Sequence, residues 1–159
     1  MNDAVNSPDH YVKNGITLQP IELSNRLDSS LGQAVQYVVR RNDKNTVLEN
    51  LKKARFEVIW CKDNLSWKKE YQHYCVSKDE FNIYVDQFIR HTKDEFFKTF
   101  LTALFKTPCV LTTKPNFRVA IELLDEEIAR LEAKEKGVDK EKIAERAGIL
   151  HELFKADKK

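Results

Sequence analysis

The sequence predicts a mainly α protein: a compact helical bundle with an irregular N-terminal arm and an antiparallel helical hairpin. Three observations predict it. The 159 residues include only four glycines and four prolines, too few turn-formers for a sandwich or a barrel. Apolar residues recur at helical spacing from about residue 20 onward. Helix-starting signatures, Ser77-Lys78-Asp79-Glu80 and Thr92-Lys93-Asp94-Glu95, stand directly before apolar runs. A composition 42% hydrophobic and 33% charged provides material for a core and departs from that of disordered chains.

The elements follow in order. Residues 1–19 read as an entry arm, with turn chemistry at Ser7-Pro8-Asp9 and Asn14-Gly15. Pro20 suits the first turn of a short helix through Ile21, Leu23 and Leu27 to about Asp28. Ser29 or Ser30 can cap a second helix whose Leu31, Ala34, Val35 and Val38 face the core. Val35, Val38 and Val39 also suit a strand. The polar run Asn42-Asp43-Lys44-Asn45 is a turn. A third helix covers 46–62, with Leu48, Leu51, Ala54 or Arg55, Val58 and Ile59 inward. So short a turn makes the two helices an antiparallel hairpin.

In the second half, Phe81, Tyr84, Val85, Phe88 and Ile89 continue into Phe96, Phe97, Phe100, Leu101 and Leu104. These form either one long helix or two short ones meeting near His91. Pro108 and Pro115 bracket a loop or short extended piece containing Val110 and Leu111. Asn116 can cap a helix that Gly137 ends, and a last charged helix covers 139–155. The chain divides on this reading into an arm with a basic hairpin, 1–62, and an aromatic-rich helical extension, 63–159. That extension is a candidate oligomerisation module, because an apolar stripe wider than one chain can cover implies a homo-oligomer.

Charge and motifs exclude several functions. Lys plus Arg number 27 and Asp plus Glu 25, a net charge of +2, which argues against non-specific nucleic-acid binding. No apolar run approaches the ~18 residues of a membrane span. The first residues carry no export signal, and Cys61, Cys75 and Cys109 are irregularly spaced, as expected of reduced thiols. A cytoplasmic location follows. There is no P-loop, G-x-G-x-x-G, H-E-x-x-H or nucleophile elbow. Cys61, His73 and Cys75 have no C-x-x-C partner and read as ordinary core or surface residues rather than metal ligands.

What remains is a concentration of cations in the hairpin. Tyr37, Arg40, Arg41 and Lys44 lie on one helix and its exit, and Lys52, Lys53 and Arg55 on its partner. Cations near a helix–helix turn can clamp a phosphate chain, Arg as a planar fork and Lys as a point charge. On spacing alone the simpler account is a solvated face offset by Asp43, Glu49 and Glu57. His10-Tyr11 is a second candidate, since His moves protons near neutral pH and Tyr can stack on a base. The alternative is that His10 caps local backbone and Tyr11 staples the arm to the core.

Several separate pieces, in order, resemble a known family. They are Asn6-Ser7-Pro8-Asp9-His10-Tyr11, then Gly15, then Leu18-Gln19-Pro20-Ile21-Glu22. Leu31-Gly32-Gln33-Ala34-Val35-Gln36-Tyr37-Val38-Val39-Arg40 and Leu48-Glu49-Asn50-Leu51-Lys52-Lys53-Ala54 follow. Over about residues 6–62 the chain is similar to the small phage SaV-like family, which includes a phage nucleotide kinase lacking a P-loop. Gln33, Gln36 and Asn50 depart from the usual Asn, Lys and Asp of that pattern. The resemblance implies a phage protein of the host cytoplasm that transfers phosphate from a nucleoside triphosphate to a deoxynucleoside monophosphate. It implies His10 and Arg40 as catalytic residues. Tyr11, Gly32, Tyr37, Arg41, Lys44, Lys52 and Lys53 would bind the nucleotide and its phosphates. The protein itself would hold no cofactor or metal, leaving Mg²⁺ to the nucleotide. Nucleotides are then the expected partners. The alternative is a non-enzymatic phage protein that binds a host protein or sequesters a nucleotide.

Overall fold

The computed structural model describes the backbone of residues 19–43, 45–65, 72–107 and 114–156, and the side chains of these as far as Gly137, with Glu145 and Gly148. Among the described residues the protein is helical, with an isolated antiparallel bridge between Leu27 and Tyr74 as its extended pairing. No described helix is long and apolar enough to cross a membrane.

Helix α1, Pro20–Ser24, starts on Pro20 as the sequence predicts but stops short of Asp28. The backbone after it is drawn into other bonds. The Asp28 N–H donates to the His73 carbonyl at 2.9 Å, and the Cys75 N–H to the Arg26 carbonyl at 2.8 Å. Helix α2, Ser29–Val39, is capped by Asp28, one residue before the expected serines, through a 3.1 Å bond from the Leu31 N–H. Leu31, Ala34, Val35, Val38 and Val39 are all fully buried, so the valines join the helix rather than a strand. Helix α3, Val47–Asn64, is capped by Thr46. Asn45, at φ 61°, makes the left-handed step ahead of it, a conformation Asn tolerates better than most residues. Asn50 is buried and donates to the Arg41 carbonyl at 3.1 Å, closing the connection between the helices. An aspartate at that position could not donate this bond. Extensive α2–α3 contact across the short connection makes the expected hairpin.

Helix α4, Lys78–His91, is capped by Ser77 as expected. The aromatic run then breaks into two helices. Thr92 is extended and its Oγ1 accepts the Asp94 N–H. Asp94, rather than Thr92, caps helix α5, Glu95–Leu101. A π-helical turn, Thr102–Lys106, follows. Asn116 caps helix α6 through the Val119 N–H. Helix α6 runs unbroken over Phe117–Ala156, so the expected stop at Gly137 and restart near 139 are corrected. A glycine inside a helix costs about 1 kcal/mol but does not end it without a left-handed residue or a proline after it.

Two compact units result, Met1–Asp125 and Glu126–Lys159. The division falls inside α6, and the hairpin and the aromatic helices share the first unit. Phe81, Phe88, Phe97 and Phe100 lie at its centre, at most 1% exposed. Tyr74, Phe81 and Phe105 form a ring cluster with centroids 4.7 and 4.8 Å apart, and Phe88 meets Phe97 edge-on. Phe81, Phe88, Phe97 and Phe100 of the phenylalanine stripe are thus covered within the chain. In the second unit, Glu127 accepts two bonds from Arg130 and holds that exposed guanidinium above its ordinary pKa.

Candidate functional site

The outward side of the hairpin carries the site. Helix α2 buries Leu31, Ala34, Val35 and Val38, which leaves Tyr37 and Arg40 on its other flank. Helix α3 buries Leu51, Ala54 and Val58 and turns Lys52, Lys53 and Phe56 outward. Tyr37, Glu49, Lys52, Lys53, Phe56 and Glu57 line an open groove of about 330 Å³. The Lys53 Nζ lies 5.9 Å from the centre of the Tyr37 ring and 3.0 Å from the Glu49 carboxylate. Phe56 is 63% exposed, an apolar ring left in water beside two cations.

Of the residues selected from sequence, Tyr37, Lys52 and Lys53 are brought together. Arg40 is exposed, one helical turn beyond Tyr37, and its Nε donates to the Gln36 carbonyl. Arg41 is diverted: its guanidinium donates to both oxygens of Asp94 at 2.6 and 2.7 Å, and it lies over the Phe96 ring. The pair is nearly buried, at 12% and 6% side-chain exposure, and holds this guanidinium on Asp94. Gly32 is diverted as well. A Cβ there would meet the Ser24 carbonyl oxygen at 2.8 Å, so its smallness lets α2 pack on α1. Gln36 strengthens that contact by donating to Ser24 Oγ at 2.8 Å. Arg55 is bound to Asp125 and does not extend a basic patch. His10, Tyr11 and Lys44 lie outside the described residues.

Sequence reasoning missed Phe56, whose signal was an aromatic three and four residues after two lysines on the polar side of a helix. It took Glu49 and Glu57 as neutralising surface charges, yet both line the groove. The charges in the groove balance, two cations against two carboxylates. The Lys53–Glu49 pair is an exposed one, worth about 0–1 kcal/mol. A phosphate can therefore displace Glu49 from Lys53 cheaply, whereas breaking a buried pair such as Arg41–Asp94 costs about 3–5 kcal/mol.

A second cluster is buried. Asp28, Cys61 and His73 bring one oxygen, one sulfur and one nitrogen within 4.8 Å of one another. His73 Nδ1 lies 3.0 Å from Asp28 Oδ2, and Cys61 Sγ 3.7 Å from the same oxygen. Cys61 and His73 are wholly buried. Cys75, the third residue named from sequence, is exposed and donates to the Leu27 carbonyl instead. Asp28 takes its place, from a position that no short motif marks.

No curated protein and no solved structure matches the chain. Residues 5–58, the arm and most of the hairpin, are similar to a family described as a protein of unknown function, DUF3310.

Proposed function

We propose that this protein binds a nucleotide in the α2–α3 groove and transfers a phosphoryl group from a nucleoside triphosphate to a deoxynucleoside monophosphate without a P-loop. The observation that carries the reading is the meeting of Tyr37, Lys52, Lys53 and Phe56 in one concavity. The two rings suit a base, because every base has a face to stack. The two lysines suit phosphates as point charges. Arg40, exposed one turn from Tyr37, would add a planar fork to the phosphates. The resemblance of residues 6–62 to the small phage SaV-like family supports the transfer step. On that resemblance His10 and Tyr11 complete the site, and the protein works in the cytoplasm of a phage-infected host.

The step asks little covalent chemistry of the chain. An acceptor phosphate oxygen, already anionic at neutral pH, attacks the γ-phosphorus, and the nucleoside diphosphate leaves. Positioning and charge neutralisation supply most of the catalysis. Mg²⁺ enters bound to the nucleotide.

The test combines titration calorimetry with a transfer assay on each deoxynucleoside monophosphate. Charge-assisted hydrogen bonds contribute about 1.5–3 kcal/mol, so Lys52→Ala and Lys53→Ala should each weaken binding about tenfold or more. Binding with turnover that falls in Arg40→Ala supports the kinase. Binding without turnover leaves the alternative, a protein that sequesters a nucleotide. The absence of any nucleotide binding overturns both.

A further inference from the structure

We propose that Asp28, Cys61 and His73 supply three of the four ligands of a zinc site, with a water molecule as the fourth, and that the ion fastens the start of α2, the end of α3 and the segment before α4 together. The inference is independent of the nucleotide reading. Three donors converge on the Asp28 carboxylate: the Leu31 N–H, His73 Nδ1 and the Cys61 thiol. The first is a helix cap on Oδ1. The other two need a proton on nitrogen and on sulfur, and those are the protons that a metal displaces.

The donor set selects the metal. One thiolate, one imidazole and one carboxylate are the ligands of zinc, not of Mg²⁺ or Ca²⁺, which take oxygen. Zinc bonds of about 2.0–2.3 Å put tetrahedral ligand atoms roughly 3.3–3.6 Å apart. The nitrogen–oxygen separation of 3.0 Å and the sulfur–oxygen separation of 3.7 Å lie on either side of that range, and all three atoms lie within 4.8 Å of one another. Side-chain movement must close the cluster around the ion. Charge agrees too. A thiolate and a carboxylate balance a dication, so the loaded site is neutral where Cys61 and His73 are 0% exposed.

Two further features fit. With Oδ2 on the metal, Oδ1 keeps the Leu31 N–H, and this bond orients the ligating carboxylate. His73 Nε2 has no hydrogen-bond partner among the described residues. If Nδ1 carries the only ring proton, that nitrogen is a stranded buried acceptor. With Nδ1 on the metal, Nε2 carries the proton instead, and the imidazole as a whole packs edge-to-face with the Phe117 ring at 5.5 Å. The backbone reinforces the placement, since the Asp28 N–H already bonds the His73 carbonyl at 2.9 Å.

The experiment uses the untagged full chain, expressed with zinc and passed through gel filtration. Metal analysis should find one zinc per chain, reduced to a trace in Cys61→Ser and unchanged in Cys75→Ser. Cobalt exchanged into the wild type should give a thiolate-to-cobalt charge-transfer band that Cys75→Ser keeps and Cys61→Ser loses. Because a variant at the buried cluster can misfold, the wild type is also melted with Zn²⁺, with Mg²⁺ and with a chelator. Only Zn²⁺ should raise the melting temperature of the chelated protein. A wild type that carries no zinc, shows no cobalt band and melts identically in all three conditions overturns the site. So does a cobalt band that survives in folded Cys61→Ser.

Discussion

Arg41 and Asp94, 53 positions apart in sequence, are joined by two hydrogen bonds of 2.6 and 2.7 Å. This bidentate pair ties the exit of α2 to the start of α5. Asp94 does two things there, because Oδ1 also caps α5 through the Phe97 N–H at 3.0 Å. The chain thus uses the Arg41 guanidinium for architecture.

Removing either side of that pair leaves a nearly buried charge. Arg41→Ala should lower the free energy of unfolding by about 3–5 kcal/mol. Asp94→Ala should cost about 1 kcal/mol more, through loss of the helix cap. Urea titrations check both. Equal stability of Arg41→Ala and wild type would show the pair to be loose in solution.

Gly32 and Gly137 should respond with opposite signs to alanine. At Gly32 a Cβ would meet a backbone oxygen of α1 at 2.8 Å, and the helices must separate. A loss of about 1–3 kcal/mol is expected. At Gly137 nothing lies within 4 Å and the helix is continuous, so alanine should gain up to about 1 kcal/mol. Thermal melts of the two variants read the contrast.

Two phenylalanines separate packing from function. Phe97 is fully buried against Phe88, and Phe97→Ala should cost about 3–5 kcal/mol. Phe56 is 63% exposed, so Phe56→Ala should change stability by only about 0.5 kcal/mol or less. It should nonetheless weaken nucleotide binding several-fold in calorimetry, through the lost stacking face. Unchanged affinity in Phe56→Ala would remove the ring from the site.

The helices were legible because local rules agreed with tertiary packing. Pro20, Thr46, Ser77 and Asn116 each stand where the sequence puts a helix start. Boundaries failed where a distant partner intervened. Helix α1 ends early because residues 73–75 pair with the backbone after it, and no window around Asp28 contains that information. Gly137 misled because glycine permits a stop without enforcing one. In the candidate site, helical spacing places Tyr37, Lys52 and Lys53 in the hairpin and the resemblance supplies their binding role, while the pairing of Arg41 depends on where Asp94 folds. Gly32, a nucleotide-binding position on the resemblance, has the Ser24 carbonyl as its close neighbour.

The most direct measurement is a map of amide chemical-shift changes as a nucleotide with Mg²⁺ is added to isotope-labelled protein. The account predicts that, among the described residues, the largest changes cluster from Tyr37 to Arg40 and from Glu49 to Glu57, and that they fade in a Lys52→Ala/Lys53→Ala variant. Shifts confined to other helices, or none at saturating nucleotide, would contradict it.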